Sequence, residues 1–319
     1  MTPDILKADL TASALRGQHC WFAIDAIAGQ PDMTAFKRRA RLRQSQWRIE
    51  QDLPLGGQLQ ADGARKPVGS RLDVDFARTT GCNFLSPAIA EVVKCRLAKP
   101  ERYQMLATER LWSDLLSSMP LCFNLFGSVA ASPERATSAV RAWFPDAPGA
   151  VSDVRFEWSP GRRDPAYLGN QSAFDVAFQL ASPHGARGVI GVETKYHEHA
   201  KREPAPRSER LARYVEVTEG SGIFTSDWQK RLVGTDLQQI WVDHLLALSM
   251  TQHRHPYQWV KFVLVYPSKN SSFAEAVDRY RETLVETASF ATRTIEEILD
   301  APGALPVELV SAFRERYLW

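Results

Sequence analysis

The sequence contains no run of about 18 apolar residues, so no transmembrane helix is expected. Its four cysteines, Cys20, Cys82, Cys95 and Cys122, include no CxxC pair. That excludes the common structural-zinc frames and a dense disulfide scaffold. There is no Gly-Lys dipeptide, hence no P-loop and no built-in ATP-driven translocation. There is no G-x-S-x-G elbow either, and Gly220 and Gly222 lack the rest of a dinucleotide fingerprint. The opening "MTPDILKADLTASALRGQHC" carries no apolar h-region, so the expectation is a cytoplasmic protein with reduced thiols. Neither sign of charge dominates: 39 Lys and Arg face 37 Asp and Glu, a net charge of +2. A nucleic-acid partner would have to be met by positive charge concentrated locally.

What is present reads as a globular α/β chain of 319 residues. Residues 1–146 are mainly helical in pattern. "PDMTAFKRRARLRQSQWRIEQ" sets Phe36, Ala40 and Trp47 at helical spacing between arginines. "PLGGQLQADGARKPVGSR" reads as a Gly-rich connection. In "SPERATSAVRAWF", Ser132 can cap a helix, Pro133 suits its first turn and Glu134 suits the positive end of its dipole. From about residue 147 the period changes. "VSDVRFEW", "AFDVAFQL" and "VIGVETKYH" alternate as strands, "TDLQQIWVDHLLALSM" is helical with Asp236 near its start, and "WVKFVLVYP" is a buried-type strand. "SSFAEAVDRYRETLV" opens on an apparent capping box, Ser272 with Glu275. The order implies a mixed sheet flanked by helices in residues 147–319, with its core near 147–290 and the N-terminal helices packed on it.

Within "GVETKYHEH", Glu193 and Lys195 are two apart on a strand and share a face with His197. In the preceding strand Phe174, Val176, Phe178 and Leu180 alternate with Asp175, Ala177 and Gln179. A hairpin centred near His184 would set Asp175 directly across from Glu193. A slip of one residue would break that pairing. An ExK triplet on a strand is most often a solvated face, but two carboxylates paired across a sheet repel unless a positive charge lies between them. A hard divalent cation with oxygen ligands is the usual remedy, and Mg²⁺ suits carboxylates plus phosphate. A neighbouring lysine can orient or deprotonate water, or offset charge on a phosphate. Asp175, Glu193 and Lys195 together therefore suggest metal-assisted phosphodiester hydrolysis.

"FDVAFQL" followed by "GVETKY" resembles the D…ExK signature of the PD-(D/E)XK, or restriction-endonuclease-like, nuclease superfamily. The signature's proline is absent, since Ala173 and Phe174 precede Asp175. The segments "NFLSPAIAEVV", "RLWSDLLSSMPLCFNLFG", "FEWSPGR", "FDVAFQL", "VETKYHE" and "LQQIWVDHLLA", over residues 83–249, also resemble a bacterial subgroup described by inference as restriction endonucleases. The resemblance implies a restriction-endonuclease-like core and a Mg²⁺-dependent deoxyribonuclease, with Mn²⁺ as a substitute. It assigns Asp175 and Glu193 to the metal and makes Lys195 the catalytic lysine. It further implies an upstream acid, for which Glu157 is the candidate, and a glutamine on the following helix, Gln238 or Gln239, with Gln239 preferred. An endonuclease acting on DNA in restriction, defence or repair follows, with a homodimer suited to duplex cleavage. The alternatives are a nuclease-fold protein that binds nucleic acid without cutting it, and a partner-binding protein whose acidic hairpin is merely exposed.

Other residues invite a role. His197 and His199, and the pair His253 and His255, have metal-like spacing but no cysteine or acidic partner at a zinc interval. Arginine clusters lie at Arg38, Arg39, Arg41 and Arg43, at Arg162 and Arg163, and at Lys201, Arg202, Arg207 and Arg210. Most such runs are solvated faces, but the last two flank the hairpin and could meet phosphates. Trp158 and Tyr167 could stack on bases, although core packing is the commoner use of such aromatics.

Overall fold

The computed structural model describes residues 10–182 and 184–319. The first nine residues of the opening segment, and Pro183 in the proposed hairpin turn, lie outside the described residues.

Five strands form one mixed sheet in chain order: β3 (Ala150–Trp158), β4 (Phe174–Ala181), β5 (Arg187–Thr194), β6 (Trp259–Tyr266) and β7 (Phe290–Thr294). β3, β4 and β5 are antiparallel neighbours, whereas β5, β6 and β7 run parallel. A separate hairpin, β1 (Leu55–Leu59) with β2 (Arg65–Leu72), precedes them. That hairpin corrects the reading of residues 54–71 as a mere connection. Its turn residues mask two short paired segments, and much of it is exposed, which leaves little apolar alternation to detect. β7 carried no sequence signal for a related reason: it is a five-residue edge strand with one buried residue.

Helices cover both faces, as a sheet with parallel strands requires. One face packs Val176, Phe178, Ile190 and Val192 against Leu121, Phe126, Trp143 and the C-terminal residues Ile298, Phe313 and Tyr317. The other packs Ala177, Val189, Phe262 and Leu264 against Trp241, Leu245, Tyr214 and Tyr280. The layers are therefore helix, sheet, helix, a fold compatible with the restriction-endonuclease-like class expected from the sequence.

Local signals explain most helix starts. Pro31–Glu50 begins on a proline at its first position, where the missing N–H costs nothing. Ser132 caps Pro133–Trp143 by accepting from Arg135 N. The helix Ser271–Arg281 is capped differently from expectation. Asn270 lies at the N-cap and accepts from Phe273 N, while Ser272 Oγ instead accepts from Ala200 N. Asp236 does not cap Gln238–Thr251; it pairs with Arg279 at 2.5 Å.

His244 on Gln238–Thr251 is fully buried, with Nδ1 2.9 Å from Tyr280 Oη and Nε2 2.9 Å from Ser289 Oγ. Burial among apolar rings drives its pKa down to about 3, so it stays neutral in the fold. The unfolded histidine, with a pKa near 6.5, binds more protons below that pH, so stability falls as pH falls. Between pH 7 and pH 5 this group alone should remove about 2 kcal/mol. Urea unfolding of wild type and His244→Gln across that range should show the flatter profile in the variant. Parallel profiles would mean that His244 does not titrate on unfolding.

Candidate active site

The β4–β5 register pairs Val176 with Val192 and Ala177 with Gly191, so the next step of the ladder sets Asp175 opposite Glu193. The β3–β4 register brackets Glu157 between Phe156 and Trp158, opposite Asp175. Three carboxylates thus stand in a row across three strands, at the end where β5 gives way to Lys195. Leu264 of β6 follows next to Glu193. Gly191, two residues before Glu193, is a packing requirement: a Cβ there would lie 2.5 Å from the Phe174 ring.

Each polar group has a defined partner. Asp175 Oδ2 accepts from Thr194 N at 2.8 Å and from Thr194 Oγ1 at 2.6 Å. Lys195 Nζ donates to Glu193 Oε1 at 2.7 Å, and the same oxygen is 3.4 Å from Gln239 Nε2. Gln238 turns away: its Oε1 accepts from Gly234 N at 2.8 Å and its Nε2 donates to Pro204 O at 2.9 Å, tying the loop before Ser208–Ser221 to the helix. Glu157 adopts a left-handed backbone, φ 48°, unusual for a residue with a side chain, and Arg162 Nη2 reaches its carboxylate at 3.4 Å. Arg96 and Arg162 also bond the Glu157 carbonyl, at 3.2 and 2.7 Å, and these contacts hold the strained turn.

Charge balance in this corner is unusual. Asp243, four residues after Gln239 and so on the same helix face, adds a fourth carboxylate. Burial first, and the charge of Glu193 second, push both the Asp175 and Asp243 carboxyls well above the ordinary range. Burial also raises Glu157, against the opposing pull of Arg162. Burial disfavours the Lys195 ammonium, yet the carboxylates of Glu193, Glu198 and Asp243 together hold its pKa above that of an ordinary lysine. One ammonium therefore faces more carboxylate than it can neutralise.

That surplus is the observation on which a cation can be tested. Among the described residues no three His, Cys, Asp or Glu side chains form a ready-made cage. Asp175 and Glu193 nevertheless offer two hard oxygen donors beside uncompensated negative charge, which suits a divalent ion completed by substrate and water oxygens.

Asp243 and its neighbour Glu203 were not singled out in the sequence. The i, i+4 spacing from Gln239 is the signal that could have found Asp243. Other tempting residues lie elsewhere or are already engaged. His197 Nδ1 contacts Leu116 O at 3.1 Å, and His199 Nδ1 is 3.5 Å from Lys37 Nζ. Trp158 is core, and Tyr167 stacks on His253 with ring centres 4.8 Å apart. Arg41 is bound to buried Asp25 by two 2.7 Å contacts, and Arg162 is buried against Glu101 and Glu157. All four cysteines are free thiols.

The family model of the PD-(D/E)XK nuclease superfamily matches residues 31–319. The chain belongs to the PD-(D/E)XK nuclease superfamily. No curated protein and no solved structure matches it. The superfamily match extends well beyond the D…ExK segment to the helices on both faces, and it makes nuclease chemistry the activity to be argued. Among the described residues no helix is long and apolar enough to cross a membrane.

Proposed function

We propose that this PD-(D/E)XK protein is a metal-dependent nuclease that hydrolyses phosphodiester bonds in DNA, cutting internally in restriction, defence or repair. The single observation that carries the reading is the convergence of Asp175, Glu193 and Lys195 at one sheet end, with Lys195 Nζ 2.7 Å from Glu193. Asp175 and Glu193 would hold Mg²⁺, or Mn²⁺ in its place, which when bound would supply positive charge at the phosphoryl group.

The chain's own groups divide the remaining work. Thr194 donates twice to Asp175 and fixes that carboxylate against the sheet. Glu193 holds Lys195, whose ammonium donates a hydrogen bond to the attacking water and offsets charge gathering on the phosphate. Gln239 limits the swing of Glu193. Glu157, anchored by Arg162, places a further carboxyl on the far side of Asp175. A homodimer would place two such sites on the two strands of a duplex.

Incubation of supercoiled plasmid, linear duplex and single-stranded DNA with the protein in Mg²⁺, Mn²⁺ or EDTA, beside Asp175→Asn, tests this. The amide can still accept from Thr194, so the fold should be retained. The expected result is metal-dependent cutting that the variant reduces at least about a hundredfold. Equal cutting by the variant, or none by the wild type in either metal, would overturn the assignment.

A further inference from the structure

Beside the acidic corner opens a cleft of about 890 Å³ whose lining includes Arg163, Asn170, Arg207, Arg210, Gln239 and Asp243. Gln239 and Asp243 connect its floor to Glu193, whereas the arginines stand on its rim. All three arginines are exposed, and none forms an ion pair with a described carboxylate. Arg163 is ordered instead by stacking on Tyr103, its guanidinium 4.3 Å from the ring centre, and by the Gln171 amide, whose oxygen, turned towards it, accepts from Nε at 3.2 Å and Nη2 at 2.9 Å.

The amides in the lining tell a different story. Asn170 Nδ2 donates to Ser172 Oγ and Tyr214 Oη, both at 2.8 Å, and its Oδ1 accepts from Ser172 N at 3.0 Å. Gln238 is satisfied at both ends, and Gln239 turns to Glu193. Side-chain amides are the usual readers of adenine edges, and these are already engaged within the protein. What remains unneutralised is the guanidinium charge of Arg163, Arg207 and Arg210, suited to phosphate. The dimensions narrow the ligand further. The side chains of Lys195 and Glu193 are only 10% and 14% exposed, so a phosphate must descend to reach them. With the reacting groups this recessed, a cleft of about 890 Å³ suits a short run of unpaired nucleotides better than a rigid duplex.

We propose that this cleft grips one unpaired polynucleotide strand through its phosphates, by Arg163, Arg207 and Arg210, without reading base sequence. The proposal rests on the nuclease reading only for where the strand leads. Its substrate class is single-stranded nucleic acid, or a duplex locally opened or frayed at the site. Glu203 and Asp243 also line the cleft, and their carboxylates disfavour a strand that strays towards them.

Fluorescence anisotropy in EDTA separates this from catalysis. Labelled single strands of DNA and RNA with several base compositions, and a blunt duplex of equal length, are titrated with wild type and Arg207→Ala/Arg210→Ala over a range of salt. Single strands should bind at least tenfold more tightly than duplex, with composition changing Kd less than threefold. The double variant should flatten the slope of log affinity against log salt by about 1.4, or about 0.7 for each lost contact. A preference for DNA over RNA, or for neither, identifies the sugar and leaves the strand grip supported. Equal or tighter binding of duplex, strong dependence on sequence, or an unchanged salt slope would overturn the proposal. Strand binding without metal-dependent cutting would sink the nuclease reading alone, and cutting without strand preference would sink this one alone.

Discussion

Replacement of Lys195 by alanine is expected to lower metal-dependent cleavage by about 10²–10⁴-fold, the range associated with a positioned group that acts on a proton or on developing charge. The reason is local. Lys195 is 8% exposed, its ammonium bonds Glu193 at 2.7 Å, and it is the cation that the surrounding carboxylates of Glu193, Glu198 and Asp243 hold protonated. Its removal leaves Glu193 held only by the 3.4 Å contact from Gln239 and the carboxylates unopposed. A divalent ion should therefore still bind, and from charge alone more tightly. That separates the outcome from simple loss of the site: calorimetry should show metal binding retained while cleavage disappears. Lys195→Met keeps most of the buried aliphatic stem and guards against a packing artefact. Cutting by both variants at the wild-type rate would place the chemistry elsewhere.

The site's legibility in the sequence had a physical basis. A two-residue periodicity and a turn centre are enough to set Asp175 across from Glu193, because a one-residue slip would have buried charge on both faces at once. The observed register pairs Val176 with Val192, and the same count carries over to Asp175 and Glu193. Glu157 could be placed near the strand end but not in line with Asp175, since its left-handed backbone depends on Arg96 and Arg162, which act from distant segments. Choosing between Gln238 and Gln239 likewise required the loop at Pro204, which captures the first and leaves the second to Glu193. Asp243 escaped notice because a carboxylate inside an apolar helix reads as its solvent stripe. Its neighbours reverse that meaning.

The same limit applied to the fold. Ser132, Pro133 and Glu134 announce a helix through contacts that are local in sequence, and the helix begins there. Ser272 and Glu275 make an equally good local pattern, yet Asn270 takes the cap, because its Nδ2 is already fixed by Tyr196 O at 3.1 Å and Glu198 O at 2.8 Å. Those two carbonyls immediately follow Lys195, so the cap that starts Ser271–Arg281 also braces the chain leaving the acidic corner. A long-range tie outranked a short-range one, and it did so beside the site.

Arg316 should be the costliest single residue to lose outside that corner. It is fully buried, with no carboxylate partner among the described residues, and burial lowers its pKa. Its guanidinium instead donates to Asn83 O at 2.6 Å, Asn83 Oδ1 at 2.5 Å and Gln44 Oε1 at 3.2 Å, and stacks over Trp47 at 4.2 Å. Gln44 in turn donates to Tyr196 Oη at 3.1 Å, and Tyr196 Oη donates to Tyr317 O at 3.2 Å. One network thus links Pro31–Glu50, the C-terminal helix Val307–Tyr317 and the residue after Lys195. Arg316→Ala removes the stacked stem and strands several buried acceptors together, so a loss of about 3–5 kcal/mol is expected in urea unfolding. Arg316→Met restores volume but not donors and should recover only part of it. Where the alanine variant remains folded, cleavage should fall as well, because Tyr196 no longer anchors the turn that carries Lys195. A stable Arg316→Ala with full activity would show that the C-terminal helix merely covers the sheet and does not hold the site in place.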